Sequence, residues 1–199
     1  MKEEEKKYEN FSKSIRRRAA TIGGHNMDDY PLKMHVFNRA RLIKNSKNRI
    51  PYGVDLIQKY KRESWIVFTE NKKQAKEFNK IINTKGFKSA LYNTDLDSTE
   101  RLENLNKFKK ADLNVLVTCT ALDEGFDMPE ADGALILSAS SSKRQRVQRM
   151  GRVLRITENK PNALIVTVYS SKTEFDKLME EAKRYHKEGV PVSWKRQDR

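Results

Sequence analysis

The chain has 199 residues, of which 37% are hydrophobic and 34% charged, enough for one core inside a very polar shell. Its 41 Lys and Arg against 27 Asp and Glu leave a net charge of +14, which favours a polyanionic partner, nucleic acid first and an anionic membrane second. No apolar run approaches the ~20 residues of a membrane span, the first residues lack the apolar stretch of a secretory signal, and the one cysteine, Cys119, excludes an internal disulfide; an intracellular protein with no membrane role is expected.

The first expected element is a charged helix from Glu3 to about Ala20, broken by Gly23-Gly24. A second helix carries Leu32, Val36, Ala40 and Ile43 on one face, with Arg39, Arg41 and Lys44 elsewhere. A third is expected at Pro51, a residue suited to a first helical turn. The pattern changes near Arg62. From there, short apolar runs alternate with amphipathic helices. Candidate strands are Trp65–Thr69, Ser89–Tyr92, Val115–Thr118, Ala134–Leu137 and Ala163–Val168. Their nearly unbroken apolar character suits strands covered on both faces of a parallel sheet. Helix starts are marked by Asn71 with Gln74, Asp97 with Glu100 and Ser171 with Glu174, each at capping-box spacing. Alternation of this kind predicts an α/β domain whose ligands bind beyond the carboxyl ends of the strands. The tail from Lys187 to Arg199 is basic and interrupted by Gly189 and Pro191. It is expected to be flexible, with Val190, Val192 and Trp194 as residues able to dock. No internal repeat or low-complexity tract is present.

Two stretches carry readable chemistry. Gln145 to Arg155 reads Q-R-V-Q-R-M-G-R-V-L-R, with Arg152 and Arg155 beyond Gly151. Arginine offers a rigid, permanently charged fork matched to phosphate oxygens. Arginines placed this way can stabilise charge on a transferring phosphoryl group. The alternative is a basic face that water simply solvates. Upstream lies V-L-V-T-C-T-A-L-D-E-G-F-D-M-P, Val115 to Pro129. The chain has no G-x-x-x-x-G-K-[ST] phosphate cradle. Its one acidic pair after a candidate strand, Asp123-Glu124, lies inside that upstream stretch. His25, His35 and His186 are scattered without metal-ligand spacing, so no metal site is expected.

These stretches resemble motifs V and VI of the superfamily 2 helicases and translocases, and Trp65-Ile-Val-Phe-Thr-Glu70 is similar to that family's motif IV. The wording is most like that of restriction-enzyme translocase subunits and DNA-repair helicases. The likeness runs from about Ser64 to Arg184, in the family's order. It implies a RecA-like three-layer sandwich with a mainly parallel central sheet, here preceded by an α-helical N-terminal extension. It also implies ATP with magnesium, bound mainly by a first RecA-like lobe in the same chain or in a partner subunit. Arg152 and Arg155 would then reach the γ-phosphate. Gly125, Asp127, Gln148, Arg149 and Gly151 would shape the nucleotide side. Asp127 as a turn former and Arg149 as a buried structural ion pair stay open beside those roles. Thr69 and Asn71 would touch a nucleic-acid phosphate, with Asn71 as a plain helix cap the competing reading. The family usually has a hydroxyl residue where Cys119 stands, so Thr118 and Thr120 are the candidates for that contact.

The expected division is a helical extension over 1–62, a helicase C-terminal lobe over 63–186 and a basic tail over 187–199. The expected function is the C-terminal lobe of an ATP-dependent helicase or translocase. DNA is the favoured substrate and RNA a possible one. On its own such a chain is expected to be inactive. The alternative is a non-catalytic nucleic-acid-binding or regulatory module that keeps the fold.

Overall fold

Five apolar runs, each bounded by polar turns, pair edge to edge through their backbones. The computed structural model describes residues 2–119, 129–138 and 163–195. Among these, β1 (Trp65–Thr69), β2 (Ser89–Tyr92), β3 (Val115–Cys119), β4 (Gly133–Ile136) and β5 (Leu164–Thr167) form one sheet in the order β2-β3-β1-β4-β5. Every pairing is parallel. β1 is central, with Trp65 opposite Val115 on one side and Gly133 on the other. The strands fall where the sequence predicts them. β3 runs one residue further, to Cys119, β4 starts and stops one residue earlier, and β5 is shorter at both ends.

The helices among the described residues are α1 (Lys2–Thr21), α2 (Tyr30–Lys44), α3 (Arg49–Tyr60), α4 (Lys72–Thr84), α5 (Ser98–Lys109) and α6 (Lys172–Lys187). The three expected caps form. The side chains of Asn71, Asp97 and Ser171 accept from the backbone N–H of Gln74, Glu100 and Glu174. In two of them the returning bond lands one residue before the cap. Gln74 Oε1 accepts from Glu70 N at 3.0 Å, and Glu174 Oε2 accepts from Ser170 N at 2.8 Å. Asp29, which the sequence reading passed over, caps α2 through Leu32 N at 2.9 Å.

Strand alternation sends successive side chains to opposite faces and so makes two apolar layers. Trp65, Val67, Val115, Val117 and Leu135 face one way. They pack with Ile50, Val54 and Ile57 of α3 and with Ala75, Phe78 and Ile82 of α4. Ile66, Phe68, Leu116, Ala134 and Ile136 face the other way and pack with Leu105 and Phe108 of α5. α3 precedes the division expected at Arg62, yet its apolar stripe is part of the sheet's core. Two glycines mark where this layer is tightest. A Cβ on Gly53 would lie 2.5 Å from Leu137 Cδ2, and one on Gly133 would lie 2.6–2.8 Å from three atoms of the Trp65 ring.

The chain falls into two units, Met1–Val168 and Tyr169–Arg199. In the first, α1 and α2 form a hairpin closed by Arg18 Nε, which donates to Asp29 Oδ1 at 3.0 Å. The Arg18 guanidinium, and after it the Leu32 N–H, holds the Asp29 carboxyl below its ordinary range. Arg39 lies over the Tyr8 ring at 5.7 Å, so it faces α1 rather than solvent. In the second unit, Tyr169, Phe175 and Trp194 cluster, with centroids 5.2 Å apart for Tyr169–Phe175 and 5.1 Å for Phe175–Trp194. Trp194 is thus the tail residue that docks. No helix among the described residues is long and apolar enough to cross a membrane.

Gly133→Ala is expected to destabilise the fold by about 1–3 kcal/mol, because the indole of Trp65 is itself fully buried and has nowhere to yield. Urea unfolding measures it. Leu102→Ala, at an exposed position on α5, is the control and should stay within about 0.5 kcal/mol.

Candidate functional site

In an open parallel sheet the binding crevice lies beyond the carboxyl ends of the strands, where neighbouring strands send their chains in opposite directions. β1 leads through α4 to β2 at one edge, while β4 leads to β5 at the other. The switch point is therefore between the ends of β1 and β4. Glu70 follows β1 there, and Ser138 follows β4.

This crevice is occupied by the chain's own polar groups. Arg49, 1% exposed, donates from Nη1 to the carbonyls of Leu137 at 2.6 Å and Val168 at 2.8 Å, and from Nε to that of Ile43 at 3.1 Å. One guanidinium thus joins the ends of α2, β4 and β5. Lys44 Nζ reaches Glu70 Oε1 at 3.1 Å, and Ser138 Oγ lies 3.5 Å from Glu70 Oε2. Gln74 Nε2 donates to the Lys44 carbonyl at 3.1 Å. Asn71 Nδ2 donates to Asn45 Oδ1 at 2.5 Å. The end of α2 is in this way sewn to the β1–α4 corner. Nothing in the periodicity of the sequence announced this cluster. Its only trace was an arginine beside the apolar stripe of α3.

The expected nucleic-acid residues are brought together in part. Thr69 and Thr118 meet on neighbouring strands: Thr69 Oγ1 donates to the Thr118 carbonyl at 3.0 Å, and Thr69 is buried. The Thr118 hydroxyl is buried on the α5 side of the sheet and has no hydrogen-bond partner among the described residues. Such a group costs about 1–3 kcal/mol when left unsatisfied. The amide nitrogen of Asn93, just past β2, is in the same condition. Asn71 is a helix cap, half-buried, with its oxygen committed to Gln74 N. Cys119 is buried, and burial pushes its thiol up from the ordinary value. Thr120, Gly125, Asp127, Gln148, Arg149, Gly151, Arg152 and Arg155 lie outside the described residues.

A cationic patch missed by the sequence reading lies at the start of α4. Its first turn carries Lys72 and Lys73 and no acid, whereas the first turns of α5 and α6 carry Glu100 and Glu174. Cations there oppose the helix dipole unless an anion is nearby. Asp95 supplies one. Lys72 pairs with Asp95 Oδ1, and Lys76 reaches Oδ2 at 3.0 Å. Hydrogen bonds from Lys72 and then Lys76 hold the Asp95 carboxyl below its usual range. Lys73 adds a further cation beside the pair. The N-terminal N–H groups and this charge make the corner receptive to phosphate.

At the opposite, amino edge a shallow cavity of about 690 Å³ is lined by Ser64, Phe108, Asn114 and Asp132. Two of its polar residues bond each other: Ser64 Oγ donates to Asp132 Oδ2 at 2.8 Å, and Asp132 N donates to Ser64 Oγ at 3.0 Å. Among the described residues no cluster of His, Cys, Asp and Glu could hold a metal ion.

Residues 48–157 match the family described as the helicase conserved C-terminal domain. The chain is similar to the DNA 3'-5' translocase XPB2 of Sulfurisphaera tokodaii, 35% identical over 129 residues that cover 65% of this chain and 28% of the relative. It is also similar to the ATP-dependent RNA helicase DBP3 of Ajellomyces capsulatus, 28% identical over 166 residues, 80% of this chain and 32% of the relative. The chain thus spans less than a third of the length of either. In fold it is similar to the C-terminal domain of the DEAD-box protein Dbp5, with a TM-score of 0.62 at 21% identity, covering 72% of this chain and 82% of that one.

Two outcomes test the site's internal bonds. Arg49→Met keeps the bulk but leaves buried carbonyls without their charged donor, and charge-assisted bonds are each worth about 1.5–3 kcal/mol. A loss of at least about 3 kcal/mol in urea unfolding is expected on that basis, and Arg49→Lys should restore little because a lysine cannot span three acceptors. Asp95 gives a pH signature. Its depressed folded pKa contributes stability that is present above the unfolded value of about 3.9 and is lost as pH falls through the folded value. Asp95→Asn should therefore lower the melting temperature at pH 7 and flatten its fall below about pH 4.

Proposed function

The chain belongs to the helicase conserved C-terminal domain family, as a RecA-like lobe of the superfamily 2 kind, and from that premise we propose that it is the second lobe of an ATP-driven nucleic-acid motor. The observation that supports this best is where the two motif-bearing stretches leave the sheet. β3 ends at Cys119 and runs into residues 120–128, and β4 leads through Ser138 into residues 139–162. Both departures are at the carboxyl edge, next to the switch point.

In this reading ATP and magnesium are held mainly by a first RecA-like lobe, in the same chain or in a partner subunit. That lobe brings the phosphate cradle that this sequence lacks. Arg152 and Arg155 approach the γ-phosphate from the second lobe. Each places a fixed positive charge against the transferring group as its equatorial oxygens gain charge. Gln148, Arg149, Gly151, Gly125 and Asp127 form the surface around them. Nucleic acid runs over the phosphate-receptive start of α4, and Thr120 is a further phosphate contact in this reading. Thr69 and Asn71 act there by positioning: the Thr69 hydroxyl locks β1 to β3, and Asn71 fixes the first turn of α4. Thr118 stands beside the same edge with a hydroxyl that has no partner among the described residues. DNA is the favoured track, since the relative at 35% identity is a DNA translocase, and RNA is the second candidate, since DBP3 is an RNA helicase.

The purified chain alone should show negligible magnesium-dependent ATPase activity. In a protein that holds both lobes, Arg152→Ala or Arg155→Ala should lower turnover with saturating nucleic acid by about 10³–10⁵, the range for a lost arginine finger, while ATP binding falls far less. Arg144→Ala, outside the Gln148–Arg155 pattern, is the control and should keep turnover. Near-normal turnover in both arginine variants would remove their catalytic role and leave the solvated basic face. Robust turnover by the chain alone would remove the two-lobe reading.

A further inference from the structure

The α1–α2 hairpin carries a face that its own packing does not use. Leu32 is fully buried on the side of α2 that meets α1, along with half-buried Val36 and Ile43. The opposite side is different. Tyr30, Lys33, Met34, Phe37 and Arg41 recur at three- and four-residue spacing, which puts them on one stripe of a helix. Tyr30 is 70% exposed and Phe37 52% exposed. Lys33 and Arg41 are exposed as well. Lys33 Nζ lies 6.0 Å from the centroid of the Phe37 ring. α2 contains four cations, Lys33, Arg39, Arg41 and Lys44, and no acid at all. Its carboxyl end is tied to the switch-point corner through Lys44, Asn45 and Arg49.

We propose that this stripe of α2 is a second nucleic-acid contact, on which unpaired bases stack against Tyr30 and Phe37 while Lys33 and Arg41 hold the adjoining phosphates. Charge selects the occupant. A face with two cations beside its exposed rings, on a helix without a single carboxylate, is complementary to a polyanion. Bare rings interleaved with cations are what single strands need, because every base offers a π-face and every linkage a charge. A duplex keeps its bases stacked inside and cannot use the rings. The stripe therefore selects single strands without reading sequence. This inference rests on the nucleic-acid reading above and adds a site to it.

The test measures anisotropy of a fluorescein-labelled 20-mer of deoxythymidine, and of a labelled 20-base-pair duplex, across a salt series with the whole chain. Tyr30→Leu with Phe37→Leu keeps apolar bulk and removes the π-faces. Because both residues are exposed, the melting temperature should hold. Binding of the single strand is expected to fall about tenfold or more, with the duplex nearly unaffected, since stacking on each ring contributes a factor of several. Lys33→Gln with Arg41→Gln should lower the salt slope for the single strand by about 1.4, two contacts at about 0.7 each. If the wild-type chain binds the oligonucleotide and the leucine pair binds it equally well, the stacking site is overturned and the function proposed above stands. If the leucine pair weakens both probes alike, the single-strand selectivity is wrong. If the wild-type chain binds neither probe at low salt, the nucleic-acid function itself falls, and this site with it.

Discussion

The guanidinium of Arg49 governs how this chain is put together. A charge that is 1% exposed has lost nearly all its water, so protein groups must replace it. Here the replacements include three carbonyls from three different elements: Ile43 at the end of α2, Leu137 at the end of β4, and Val168 after β5. Carbonyls at strand ends have no ladder partner beyond them and would otherwise need solvent. One side chain reaches both strand-end carbonyls, and at Ile43 it adds to the bond from Ser46 N at 3.3 Å. The consequence is architectural. The helices that look like a detachable prefix are bound to the sheet at its ligand edge, and α3 enters the core behind them.

The same edge separates scaffold from contact. Thr69, Gln74 and Glu70 spend their polar atoms on neighbouring backbone and side chains, and so set the geometry of the corner. Lys72 and Lys73 stand at the wrong end of a helix for local stability and at the right end for a phosphate. Departures from local rules of this kind concentrate where a ligand supplies the missing stabilisation. Asp95 offsets part of the cost in the absence of that ligand by pairing with Lys72 and Lys76. A phosphate arriving at α4 would compete with it.

The strands and caps were legible in the residues because their causes are local. A strand buried on both faces must be apolar throughout, so Trp65–Phe68 and Val115–Val117 stand out without knowledge of their neighbours. A cap is a short-range bond between a side chain and an N–H three residues on, so Asn71, Asp97 and Ser171 could be read directly. The site was legible only as an ordered pattern of motifs. Which threonine points where depends on strand parity and on the neighbouring strand, and this is why Thr69 and Thr118, alike in sequence, lie on opposite faces of the sheet.

The sequence by itself determined an α/β fold with parallel strands, its helix starts, its basic character and its place among the helicase C-terminal domains. All of these follow from periodicity, composition and short motifs. Only the tertiary structure decided the strand order, with β1 between β3 and β4, and so the position of the switch point. It alone brought Lys44, Arg49, Glu70 and Ser138 into one crevice from four segments, and it alone turned Tyr30 and Phe37 outward while Leu32 went in. The physical reason is that local interactions set what each segment becomes. Which segments meet is settled by burial and by the need of every buried charge and carbonyl for a partner, and those partners are distant in sequence.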